Sequence, residues 1–157
     1  MSSERFRRVV TGMDVDGKST IVIDSAVPSM KGVGAGGLIW RTSTSPVDNS
    51  VYPDTENVAF SFDLMHSGSS VFIVHELPPG ITAPMHATDT IDYIVILKGE
   101  IVLITETGEV RCGQGTFIVD RGINHAWRND TAESVVMGVV ILPANPVGRG
   151  RSDKLPG

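Results

Sequence analysis

The chain has one cysteine, Cys112, in 157 residues. That excludes an internal disulfide and any zinc site built from several cysteines, and it leaves Cys112 as a half-buried small hydrophobe. No apolar run approaches the ~20 residues that cross a bilayer. The opening Met-Ser-Ser-Glu-Arg-Phe-Arg-Arg-Val-Val carries no apolar signal core. A cytoplasmic protein is the expectation, with no membrane partner. Lysine and arginine number 13 against 18 acidic residues, a formal charge of -5, so the basic patch that a nucleic-acid partner requires is not in prospect. No repeat, low-complexity tract or long capped run of helical periodicity stands out. Gly32, Gly34 and Gly37 have dinucleotide-fingerprint spacing, but no βαβ pattern surrounds them.

What the chain does have is glycine, 17 of them, and 9 prolines, a composition suited to a turn-rich β fold. The length predicts one domain over residues 1–157. Short β-branched runs recur between turn signals. They are a hairpin over 8–24 turning at Asp16-Gly17, then Leu38 to Thr42, Val71 to Leu77, Ile94 to Leu97, Ile101 to Ile104, Thr116 to Val119 and Val135 to Leu142. Lys98-Gly99-Glu100 reads as a hairpin turn, and Thr107-Gly108-Glu109 as another. This spacing predicts an all-β sandwich or barrel, with residues 70–142 as its core and the strands of 8–42 completing its sheets. The polar stretch 43–57 reads as a long loop or flap, and residues 143–157 as a polar tail that is mobile or wraps a neighbour. Ile94-Val95-Ile96-Leu97 is apolar at both parities, so both faces must be covered. The second cover predicts a homodimer.

Two segments carry chemistry. Gly80 to Asp92 contains His86, Thr88 and Asp92. Gly115 to Asn129 contains Arg121-Gly122-Ile123-Asn124-His125-Ala126-Trp127. Residues two apart on a strand share a face, so His86 goes with Thr88, Asp92 with Ile94, and His125 with Trp127. Two imidazoles and one carboxylate form the set that holds a divalent metal with positions left open for substrate. Trp127 would wall a pocket or pack in the core, and Thr88 would contact substrate rather than metal. His75 reads as structural and His66 as a solvated loop residue. Arg41 and Arg121 are candidate clamps for an anion, though loop arginines are usually solvated.

These segments resemble the two motifs of the cupin superfamily. Gly80, His86 and Gly99 stand at the spacing of the first motif, with Thr88 in place of its second histidine and Asp92 in place of its glutamate. Gly122, His125 and Asn129 fit the second motif, with Asp120 at a proline position and Gly115 one residue late. The chain is thus similar to a small single-domain cupin with a degenerate first motif, and the likeness covers roughly 70–142. It implies a jelly-roll barrel, or double-stranded β-helix, with a central pocket. It also implies a metal held by His86, Asp92 and His125, namely Fe, Mn, Ni or Zn; loss of one imidazole weakens that site.

The expected function is that of an enzyme on a small carbonyl or carboxylate compound, with Asp92 and His125 catalytic and Thr88 and Trp127 binding substrate. A metal there would act as a Lewis acid for lyase, isomerase or decarboxylase chemistry, or as Fe(II) for a dioxygenase. A metal-free cyclase or epimerase using His125 and Asp92 as acid and base is the alternative, and a non-catalytic ligand-binding barrel is a third.

Overall fold

A computed structural model of the chain describes residues 6–43 and 45–154. The first five residues, Thr44 and the last three lie outside the described residues, and with them those parts of the N-terminal, 43–57 and tail expectations.

In chain order the strands are β1 (Arg7–Met13), β2 (Ser19–Ala26), β3 (Gly37–Thr42), β4 (Ser70–Leu77), β5 (Thr90–Lys98), β6 (Glu100–Thr105), β7 (Glu109–Gly113), β8 (Phe117–Asp120), β9 (His125–Arg128) and β10 (Val135–Pro143); one short helix, α1 (Phe62–Met65), precedes β4. A five-stranded sheet runs β3-β4-β10-β5-β8, and a three-stranded sheet runs β7-β6-β9. Their inner faces enclose a core that includes Leu38, Ile73, Ile96, Ile101 and Ile141, each under a few per cent exposed. Burying each such side chain contributes about 1.5–3 kcal/mol. The fold is the double-stranded β-helix expected from the turn spacing and the motifs.

Three local expectations are corrected. Lys98-Gly99-Glu100 is not a hairpin, because β5 and β6 belong to different sheets. The chain turns a corner at Gly99, whose φ is +81°; a Cβ there would come 3.0 Å from the Ser134 carbonyl oxygen and 3.1 Å from Val135 Cα. Only glycine holds that conformation cheaply against such close backbone. The second correction concerns the N-terminal strands. Only β3 joins a barrel sheet, while β1 and β2 pair with each other around a turn in which the Asp14 carboxylate accepts from Asp16 N and Lys18 N.

The third concerns the tail, whose described part is ordered on its own barrel. Ala144 N donates to Asp89 O, Arg151 N to Asp89 Oδ1, and Ser152 N to Ala87 O, which straps the chain over residues 87–89. The 45–57 loop packs elsewhere, against the hairpin and β3. Arg41 donates to the Asp54 carbonyl and Tyr52 meets Trp40 edge-on at 6.3 Å. Together these segments line a separate open groove of about 1120 Å³.

Candidate active site

The two histidines meet because the segment before β5 runs antiparallel beside β9. Ala83 N donates to Trp127 O, His86 N to His125 O and His125 N to His86 O. His86 and His125 are therefore directly opposed, and their rings lie 4.5 Å apart, centroid to centroid. Gly122 permits this approach. Its φ is +72°, and a Cβ would fall 2.5 Å from Thr88 O and 2.7 Å from Thr90 O. The second motif thus lies against the backbone of the first.

On the five-stranded sheet, Asp92 pairs across to Ile141 on one side and to Asp120 on the other. Two carboxylates directly opposite one another repel. Both belong to the end of the sheet where the histidines stand. Asp120 and His125 are each 3% exposed, with Asp120 Oδ2 3.0 Å from His125 Nε2. The contact is close but not aligned as a hydrogen bond, and neither Asp120 oxygen has another partner among the described residues. His125 Nδ1 lies 2.7 Å from the Ile123 carbonyl, which only accepts, so Nδ1 carries a proton. Nε2 facing the Asp120 carboxyl group at this distance calls for a proton between them.

The electrostatics follow. Burial alone would lower the His125 pKa, but the Asp120 carboxylate, with help from the Ile123 carbonyl and Asp92, raises it above 6.5. Burial pushes Asp92 up from 3.8 to about 6; a hydrogen bond from Thr90 opposes this, Asp120 reinforces it and His125 opposes it. Burial lowers His86, against the pull of the Pro84 carbonyl that its Nδ1 meets at 2.9 Å. Thr90 Oγ1 donates to Asp92 Oδ1 at 2.9 Å, so Thr88 Oγ1, 2.7 Å from Thr90 Oγ1, gives its own proton to Thr90. The Thr88 oxygen keeps its lone pairs for another donor.

His86, Thr88, Asp92, His125 and Trp127 all line one interior cavity of about 560 Å³, a volume suited to a small organic molecule. Trp127 serves both as wall and as core, edge-on to His125 at 5.6 Å. His75 also lines the cavity, against Phe60 at 5.5 Å, and burial lowers its pKa to about 4. The described cavity lining includes neither Arg41 nor Arg121. His66 is half-buried and held rather than free in solvent: Nδ1 meets Phe62 O at 2.8 Å and Nε2 accepts from Asp89 N at 3.0 Å, so the ring ties α1 to the segment before β5.

The residue that the sequence reading missed is Asp120. Its only signal was its place at a proline position of the second motif; its opposition to Asp92 depends on the β5–β8 register. Asp120 also bears on the metal. Among the described residues no three His, Cys, Asp or Glu side chains are grouped so as to hold an ion, and the ring nitrogen His125 would offer is engaged with Asp120. As arranged, the donor set does not fit a metal.

A double-sheet β barrel with a polar cluster at one end of its cavity is the architecture of a cupin-type protein. A family model for the cupin domain matches residues 65–142. The chain is 35% identical over 152 residues to phomopsin biosynthesis cluster protein D of Diaporthe leptostromiformis, covering 89% of this chain and 79% of that one. It is 36% identical to protein C' of the same cluster, with the same shares covered. It is 26% identical to the cupin-domain-containing oxidoreductase virC of Hypocrea virens, over 91% of this chain and 78% of that one. A solved double-stranded β-helix protein of Klebsiella pneumoniae superposes with a TM-score of 0.44 at 20% identity, over 48% of this chain and 69% of that one. The chain belongs to the cupin family.

Proposed function

We propose that the chain is an enzyme of small-molecule biosynthesis that moves protons in its barrel cavity. The observation that carries this reading is the buried His125–Asp120 pair, 3.0 Å apart, set beside a second carboxylate, Asp92, on the cavity wall. Asp92, ionised at neutral pH yet a stronger base than an ordinary aspartate, takes a proton from a carbon next to a carbonyl. The His125 ring, its Nδ1 on Ile123 O and its Nε2 facing Asp120, donates to no substrate oxygen directly and favours through space the negative charge that develops on the carbonyl oxygen. His86 keeps Nε2 free to accept, because its Nδ1 donates to Pro84 O, and with the Thr88 oxygen it orients a substrate hydroxyl. Trp127 forms the wall. The reaction classes are isomerisation, cyclisation and dehydration. Relatives named for biosynthesis clusters agree with a small-molecule substrate.

The test is deuterium uptake. Aryl alkyl ketones in heavy water are incubated with the protein, and mass spectrometry reads exchange at the carbon next to the carbonyl. Exchange should occur, survive a chelator and disappear in Asp92→Asn and His125→Ala. Exchange at the uncatalysed rate, or untouched by both substitutions, refutes the reading.

The metal-dependent reading, with His86, Asp92 and His125 as donors to Fe, Mn, Ni or Zn, has one observation in its favour. Both imidazoles are anchored through Nδ1 to backbone carbonyls, which is how metal-binding histidines are commonly oriented. It requires Asp120 to release His125 Nε2. The oxidoreductase names of some relatives lean the same way. Elemental analysis at one equivalent, with exchange abolished by chelation, would favour it.

The reading includes a homodimer. The outer face of the five-stranded sheet carries a cross-strand row, Trp40–Phe72–Val140–Tyr93–Val119, next to Phe117, which is 81% exposed. Such a row supports a second copy as its cover.

A further inference from the structure

From the composition of its wall, we infer that the cavity takes an uncharged, largely apolar molecule, gripped by one oxygen-bearing end, and turns anions away. This deepens the proton-transfer reading and rests on the same cavity being the working site.

Three observations carry it. The first is charge. Among the described residues that line the cavity there is no lysine or arginine. The fixed charge there is negative: Asp92 on the wall, with Asp120 opposite it in the β5–β8 register. Arg151, next to the lining residue Ser152, already faces Asp153, Asp89 and Asp63. The His125 ring, 3.0 Å from Asp120, offsets no more than one of the two inner carboxylates. A carboxylate, sulfonate or phosphate entering this space would leave its water for a region of like charge, which is costly.

The second is the gradient along the barrel. Asp92 and Asp120 share the end row of the inner face with Ile141. The next inward row is Ile73, Val139, Ile94 and Ile118, apolar throughout. The row beyond holds Met137 and Ile96, with His75. From Ile141 to Met137 is four residues of β10, about 13 Å of rise. One end of the slot therefore handles polar atoms, and beyond it the wall is apolar apart from the His75 ring.

The third is the shape of the hydrophobic lining. Trp127 and Phe60 bring flat surfaces and Met65 and Met137 bring adaptable ones, a combination that suits aromatic or polyene skeletons better than sugars or small polar acids.

The experiment uses two fluorescent probes with the same rings. N-phenyl-1-naphthylamine is uncharged; 8-anilinonaphthalene-1-sulfonate adds one sulfonate. Titrated into the full chain, the uncharged probe should bind at least ~10-fold more tightly, as expected when one like-charge contact separates the two. Asp92→Asn and Asp120→Asn should each narrow that ratio by strengthening the sulfonate. Val139→Phe, which narrows the slot, should weaken the uncharged probe. Equal or tighter binding of the sulfonate to the native chain overturns the inference, and this comparison needs no variant to fold. A ratio unmoved in both asparagine variants, or an uncharged probe indifferent to Val139→Phe, overturns it as well. Probe binding needs no turnover: loss of deuterium exchange with the probe preference intact retires the proton-transfer reading and not this one, and the converse retires only this one.

Discussion

His75 and His125 line the same cavity, and burial acts on both, yet their protons go opposite ways. His75 stands against Phe60, and burial, with no carboxylate opposing it, takes its pKa down to about 4. His125 is also buried, at 3% exposure, and its pKa still rises, because Asp120, with the Ile123 carbonyl and Asp92, repays the lost hydration. A carboxylate 3.0 Å away, with the Ile123 carbonyl and Asp92, outweighs the loss of solvent. The cavity is thus divided into an end that holds a proton and an end that repels one.

The largest expected effect separates the two rings by activity. His125→Ala should reduce deuterium exchange by about 10²–10⁴-fold, whereas His75→Leu should change it by no more than a few-fold; comparable losses in the two variants would break the contrast. Gly122→Ala comes next. The added methyl would strike Thr88 O and Thr90 O from a left-handed backbone, so urea unfolding should show a loss of more than about 1 kcal/mol. The histidine resonances should locate that damage, with His125 shifted and His75 unchanged.

Asp92→Asn should act in the opposite direction on stability. A folded pKa of about 6 against 3.8 means that the folded state binds the proton more tightly than the unfolded state. Stability from this group is present at low pH and is lost as pH rises through about 4 to 6. The asparagine should therefore stabilise the protein at pH 7, by up to about 3 kcal/mol, and this gain should vanish near pH 4. A variant less stable than the native chain at pH 7 would show that Asp92 is held by interactions stronger than its burial cost. The smallest effect concerns assembly. Tyr93→Lys, placing a charge in the outer apolar row, should leave both histidines unaltered and convert a dimer to a monomer by light scattering; a native chain that is already monomeric removes the dimer from the account.

Much of the site was legible from spacing. His86, Thr88, Asp92, His125 and Trp127 do line one cavity; strand parity put His86 with Thr88 and His125 with Trp127, and the resemblance to the two cupin motifs implied that the segments meet. What was not legible depends on pairing. Lys98-Gly99-Glu100 has the composition of a hairpin, but nothing local says whether the flanking strands bond to each other or to different sheets, and here they part. Asp120 escaped notice for the same reason, since its closeness to Asp92 and His125 follows from the β5–β8 register and the turn at Gly122. The tail looked unattached because its partners, the Ala87 and Asp89 backbone groups and the Asp89 carboxylate, lie far off along the chain.

The most direct test is a pH titration of the His125 ring by nitrogen NMR, in the native chain and in Asp120→Asn. The account predicts a midpoint above 6.5 in the native chain that falls once the carboxylate is replaced and burial is opposed by the Ile123 carbonyl and Asp92 alone. A native midpoint below 6.5, or one that Asp120→Asn leaves in place, would contradict it.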